Sequence, residues 1–307
     1  MNILFLFVDG LGIGASDPIS NPLAALELPS FEKFAGGRRW VQGTPDIREP
    51  DRLFASIDAN LGMTGLPQSG TGQATLFTGT NCAQIAGRHY GPYPHSKTKP
   101  VLESLNIFRR LETVFPEERE PAAFANAYPE RFFGYAEERG RWTVTTRCCL
   151  HSKTRIRSTD DLRRGLAIPA DLTGDWWPDP VDDRMMPRDE REAARRLVRI
   201  ASLHHFTLFE YFFTDKAGHK QSGEQARSVL LRLDVLLDEI LNVLPGDEIL
   251  LLLTSDHGNL EDLSTKSHTR NPVPFVAYGE MAERFSTVSS LVDVTPTIVA
   301  YLENDRG

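Results

Sequence analysis

Glu248-Ile249-Leu250-Leu251-Leu252-Leu253-Thr254-Ser255-Asp256-His257-Gly258-Asn259 is the stretch on which the fold turns. A run of aliphatic residues this short, closed by small and polar ones, reads as a strand buried on both faces of a parallel sheet rather than as a helix. The Asp-His pair then lies beyond the carboxyl end of the strand, where open α/β sheets bind their ligands. Working outward, Ile3–Val8 is a second such run and ends in Asp9. Phe206–Phe213 is a third and leads into Thr214-Asp215-Lys216-Ala217-Gly218-His219. Val273–Tyr278 is a fourth, preceded by Ser267-His268-Thr269, and the alanine-rich Ala122–Ala127 is a weaker fifth. Helical patterns occupy Pro22–Phe34, Val101–Val114, Arg188–Ala201, Gly223–Leu244 and Ser290–Leu302. This alternation predicts an α/β fold on a mostly parallel sheet.

The chain has 307 residues, 40% of them hydrophobic and 25% charged, which excludes disordered, collagen-like and coiled-coil classes. Its net charge of −8 sets it against nucleic acid and anionic membrane surfaces, so neither is expected as a partner. Cys82, Cys148 and Cys149 form no CxxC pair, so neither a disulfide framework nor a thiolate metal site is expected. The N-terminal apolar run is too short for a signal sequence or a membrane span. A soluble, cytoplasmic protein is the expectation. The strand–helix rhythm breaks over 130–186, which carries Trp142, Trp176, Trp177 and several prolines. That segment is expected to form a small cap or decorated loop, with 1–129 and 187–307 as the core.

Asp9, Asp215, Asp256, His219, His257 and His268 thus converge on one sheet edge. Clustered carboxylates are costly unless a cation neutralises them, so a metal centre is expected. Oxygen and imidazole donors without thiolate suit Zn²⁺ or Mn²⁺, and the ligand count suffices for two ions. Gly65-Leu66-Pro67-Gln68-Ser69-Gly70-Thr71-Gly72 supplies a hydroxyl on a tight turn before a small-residue helix start, with Ser69 and Thr71 as competing nucleophiles. Gly10-Leu11-Gly12-Ile13-Gly14-Ala15 fits a loose dinucleotide-binding pattern. Asp9 would repel a pyrophosphate there, and Ser16-Asp17-Pro18 interrupts the helix that the pattern requires.

These residues resemble the alkaline phosphatase superfamily, and within it the branch of cofactor-independent phosphoglycerate mutases and phosphopentomutases. Phe7-Val8-Asp9-Gly10, Asn21-Pro22-Leu23-Ala24, the Ser69 loop, Asp215-Lys216-Ala217-Gly218-His219, Asp256-His257-Gly258-Asn259, His268-Thr269 with Asn271-Pro272-Val273-Pro274, and Asp293-Val294-Thr295-Pro296-Thr297 follow the family order. The resemblance implies a three-layer α/β/α sandwich, with Ser69 rather than Thr71 as nucleophile. It further implies one metal on Asp215, His219 and His268 and another on Asp9, Ser69, Asp256 and His257. The 130–186 segment is much smaller than the cap of the phosphoglycerate mutases. The expectation is therefore a two-metal phosphomonoester hydrolase acting on a small phosphate ester through phosphoserine, with a compact phosphomutase and a non-catalytic metal-binding protein as alternatives. Arg88, His89, Lys97 and Arg155 are the candidate substrate-binding residues, because cationic side chains match phosphate oxygens.

Overall fold

The computed structural model describes residues 1–178, 182 and 185–304. Nine strands are present among them: β1 Asn2–Val8, β2 Ile47–Arg48, β3 Arg52–Ile57, β4 Ala122–Phe124, β5 Ala127–Tyr128, β6 Arg157–Ser158, β7 Phe206–Tyr211, β8 Ile249–Thr254 and β9 Val273–Tyr278. Seven form one sheet in the order β2-β3-β9-β8-β1-β7-β4. β4, β7, β1 and β8 run parallel; β9, β3 and β2 extend that block with antiparallel pairings.

Every residue of β7 and β8 is buried, as is all of β1 after Asn2. Side chains of β1 alternate between two cores. Ile3, Phe5 and Phe7 pack with Leu76, Phe77, Phe108 and Ile298 on one side. Leu4, Leu6 and Val8 pack with Phe31, Leu197, Leu233 and Leu236 on the other. The first set of partners lies on helices Ser69–Thr78, Ile107–Val114 and Leu291–Asn304, the second on helices Pro29–Phe34, Glu190–Ala201 and Gly223–Val243. Helices thus cover both faces of the sheet, giving three layers.

Two expectations change in detail. Val273–Tyr278 is not a parallel strand: β9 pairs antiparallel with β8. That reversal brings the start of β9, and with it His268, to the same edge as the carboxyl ends of β1, β7 and β8. The 130–186 segment does not stand wholly apart either. Its helix Val144–Leu150 buries Val144, Cys148 and Cys149 in the same core as Phe5 and Phe7. Only β5, β6 and the small cluster of Ala127, Leu162, Ala167 and Met186 form a satellite. Residues 179–181, 183 and 184 of that stretch lie outside the described residues. No described helix is long and apolar enough to cross a membrane.

Candidate active site

β1 is flanked by β7 and β8, with Phe7 in register with both Glu210 and Thr254. The residues that follow these three strands therefore meet at one point. Asp9 begins the loop after β1, held by its N–H to Tyr211 O (3.0 Å) and by Thr214 Oγ1 donating to Asp9 O (2.5 Å). Asp215 and His219 are one turn apart on helix Phe213–Lys220, the spacing that puts both on one helix face. Asp256 and His257, both fully buried, follow β8.

The structure brings these side chains together in two overlapping groups. Single donor atoms of Asp215, His219 and His268 lie within 4.8 Å of one another, and so do those of Asp9, Asp215 and His257. His219 Nε2 is 3.3 Å from Asp215 Oδ2, and His268 Nε2 is 3.6 Å from Asp215 Oδ1. His257 Nε2 stands 3.4 Å from Asp9 Oδ1 and 3.5 Å from Asp256 Oδ2. Asp215 belongs to both groups, so it occupies the bridging position between them.

Three observations show that these residues fit divalent ions. First, Asp9 Oδ1 and Asp256 Oδ2 are buried without a hydrogen-bond partner, which is costly for a carboxylate unless a cation completes its shell. Second, His268 Nδ1 meets Pro67 O at 2.7 Å and His219 Nδ1 meets Lys266 O at 2.9 Å. In the Nδ1–H tautomer each ring donates to its carbonyl and turns its Nε2 toward the other, 3.2 Å away, leaving the Nε2 lone pair that a metal ligand needs. Third, the charges are mismatched when no cation is present. Burial, and then the Asp215 charge, pushes Asp256 up to about 7; burial, Asp256 and Asp215 raise Asp9 well above the carboxylate range. Burial, and then His257, takes His268 down to about 4, and burial lowers His257. Neutral imidazoles beside carboxylates that resist ionisation form a site that positive charge would stabilise.

Ser69 opens helix Ser69–Thr78, where partial positive charge from the aligned backbone favours an anion. Its Oγ lies 3.0 Å from His257 Nε2, whereas Thr71 Oγ1 is turned away, bonded to Gln68 O (3.2 Å) and Tyr90 N (3.1 Å). Of the two hydroxyls, Ser69 alone therefore faces the cluster.

The substrate candidates are dispersed. Arg88 and His89 line a neighbouring cleft that shares Leu66 and Gln68 with the cleft lined by Ser69, Asp215, His219 and His268. Lys97 is exposed, its N–H bonded to His95 Nδ1 (3.2 Å). Arg155 is not brought to the cluster: it pairs with Asp161 (3.2 Å) and Glu120 (3.7 Å) and lines a separate cleft with Arg119, Lys153 and Arg164.

Two carboxylates were missed. Glu210, buried on β7, is pushed up to about 7 by burial, and its Oε2 has no partner. The signal was present, since a carboxylate inside an otherwise apolar strand run is expensive without a purpose. Glu261, also buried, ties the loop after β1 to both halves of the loop between β8 and β9. It accepts from Gly12 N (3.0 Å), Asn259 N (2.8 Å), Asn271 Nδ2 (3.0 Å) and Thr269 Oγ1. This explains the glycines at 12 and 258, because a Cβ at either would lie 2.3 or 2.2 Å from Glu261 Oε1. Glu261→Ala should therefore destabilise the protein by about 3 kcal/mol, since buried N–H groups lose a charged acceptor. Urea unfolding measures this, and a loss under ~1 kcal/mol would show that the two loops hold without it.

Residues 183–306 match the family model described as the Metalloenzyme superfamily. Over that stretch the chain is similar to the Metalloenzyme superfamily. It is 32% identical over 103 residues to the 2,3-bisphosphoglycerate-independent phosphoglycerate mutase of Mycoplasma genitalium, covering 32% of this chain and 20% of that enzyme. It is 33% identical over 96 residues to the phosphopentomutase of Alkaliphilus metalliredigens, covering 30% and 24%. The matches thus span a quarter or less of these curated relatives. Among solved structures, a cold-active alkaline phosphatase from a Shewanella species covers 98% of this chain and all of its own at a TM-score of 0.54 and 11% identity. A Pyrococcus horikoshii protein covers 99% and 96% at 0.55 and 13%. Both share the fold.

Proposed function

We propose that this chain is a two-metal phosphomonoester hydrolase that works through a phosphoseryl intermediate on Ser69. The observation that carries this reading is the Ser69 hydroxyl, 3.0 Å from His257 Nε2 at a helix N-terminus, facing two overlapping carboxylate and imidazole groups. One ion would be held by Asp215, His219 and His268, the other by Asp9, Asp256, His257 and Ser69, with Zn²⁺ or Mn²⁺ matching these donors. Bound there, they would supply Lewis-acid charge that lowers the pKa of a hydroxyl and offsets charge on phosphoryl oxygens.

Ser69 Oγ attacks phosphorus, the bond from phosphorus to the ester oxygen breaks, and the alcohol leaves with a proton. Water then attacks the phosphoseryl group, the Oγ–phosphorus bond breaks, and inorganic phosphate is released. The start of helix Ser69–Thr78 points its backbone N–H dipoles toward the phosphoryl group in both steps. Gln73 Nε2, bonded to Asp9 Oδ2 (3.3 Å), holds that carboxylate in place from the next turn. Three buried cysteines without a disulfide suit a reducing cytoplasm.

The phosphomutase reading draws on the names of the two curated relatives. Metal-loaded protein incubated with phosphate monoesters decides between the two. Free phosphate equal to ester consumed supports the hydrolase, whereas an isomeric phosphate ester without phosphate release establishes the mutase. Bound metal with neither product would mark a non-catalytic metal-binding protein.

A further inference from the structure

Beside Ser69 lies a cleft of about 750 Å³, the size of a site for a whole small molecule. Its floor is Asp9, Ser69 and Asp215, and its walls are aromatic: Tyr128, Phe132 and Tyr135, together with Tyr93 and Phe212. Tyr128 and Phe132 sit 4.1 Å apart between ring centroids, and Trp142 holds the other side of Phe132 edge-on at 5.9 Å. Tyr135 leaves 47% of its surface uncovered on a helix whose core-facing residue is Ala136. Phe212 stacks on Phe213 at 4.9 Å, and Lys216 Nζ lies over the Phe212 ring at 4.3 Å. Aromatic surface left open beside a reactive hydroxyl marks a place where a ligand completes the packing.

Two of the cleft's polar side chains are already engaged. The Gln73 amide is bonded to Asp9, and Thr143 Oγ1 caps the next helix through Thr146 N (3.3 Å) and meets Thr146 Oγ1 (2.9 Å). Glu210 Oε2 and the tyrosine hydroxyls remain to pair with a ligand's polar groups, against walls that are mostly aromatic. Arg131 and Lys216 supply cations at the walls, suited to the faces of electron-rich rings.

We infer that the alcohol portion of the substrate is planar and aromatic, seated between the Tyr128–Phe132 pair and Phe212 while its phosphoryl group meets Ser69. This rests on the phosphomonoesterase reading and narrows its substrate class. The test compares 2-phenylethyl phosphate with ethyl phosphate, whose leaving alcohols are of similar basicity, so that any preference reports the ring rather than the leaving group.

Metal-loaded protein should show kcat/KM at least ~30-fold higher for the phenylethyl ester, and Phe132→Ala and Tyr135→Ala should each bring that ratio down by ~5-fold or more. Equal kcat/KM for the two esters, or a ratio unmoved by both substitutions, overturns the inference while leaving the hydrolase reading intact. A calorimetric arm keeps the two claims separable. 2-Phenylethylphosphonate should bind the metal-loaded protein at least ~10-fold more tightly than ethylphosphonate, and the gap should shrink in Tyr135→Ala. If neither ester releases phosphate, the hydrolase reading fails and this binding difference still decides the pocket. Equal binding of the two phosphonates overturns it.

Discussion

Ser69→Ala should lower the turnover of phosphate monoesters by at least ~10³-fold, because it removes the group that carries the phosphoryl between the two displacements. The substitution should leave the fold in place. Ser69 is the first residue of its helix, alanine is a good helix former, and the N-cap residue Gln68 uses no side-chain bond that the change would break. It should also leave metal bound, since the Asp and His ligands are untouched. Parallel measurements of kcat, thermal midpoint and metal stoichiometry check all three. A variant that keeps wild-type turnover would remove Ser69 from the chemistry.

Stripping divalent metal should have the next largest effect, on activity and stability together. A ligand present at ~1,000 times its dissociation constant adds about 4 kcal/mol, which for a chain of this size is on the order of 10 °C in the midpoint. The difference should grow with pH. In the stripped protein, Asp256 and Glu210 are each raised to about 7, and Asp9 is raised as well. In the unfolded chain the same groups titrate near 4. Carboxylates with raised folded-state values favour the folded state while protonated, and that contribution is lost as pH rises through about 7. At about pH 6.5 the lowered imidazoles of His257 and His268 are neutral in the folded state and about half protonated in the unfolded, which offsets part of the carboxylate effect, and by about pH 8 they are neutral in both. Chelated protein should therefore melt lower at about pH 8 than at about pH 6.5, while reloaded protein should not. Scanning calorimetry with and without chelator reads both, and a chelator-insensitive midpoint at either pH would show that the cluster does not hold metal.

The sheet centre was legible because β1, β7 and β8 are covered on both faces, and double burial leaves an unbroken apolar run. Arg52-Leu53-Phe54-Ala55-Ser56-Ile57 was not read as a strand. Its polarity is mixed, and it becomes β3 through pairing with β9, more than 200 positions along the chain. The direction of β9 was equally hidden, since an apolar run looks the same in either orientation. Helical pattern ran through breaks that local chemistry had marked. Pro29 opens a helix separate from Pro22–Ala25, and Asn106 caps Ile107–Val114 through Arg109 N (3.1 Å). The strand predicted to reach Phe213 stops at Tyr211, where the chain turns into the helix bearing Asp215.

At the site, the clustering of the Asp and His side chains was legible because their strands were. Glu261 was hidden by contrast: its role depends on the loop after β1 meeting the loop between β8 and β9, which a single segment cannot reveal. Arg155 shows the limit of counting cations. Only the fold discloses that Asp161 and Glu120 already occupy it.

The most direct test of phosphoryl transfer through Ser69 is to quench the metal-loaded protein in acid during turnover of a phosphate monoester and locate phosphate by peptide mass spectrometry. Phosphorylated Ser69, absent when metal is chelated, is the predicted result. Turnover with no phosphate on Ser69, or with phosphate on Thr71 instead, would contradict it.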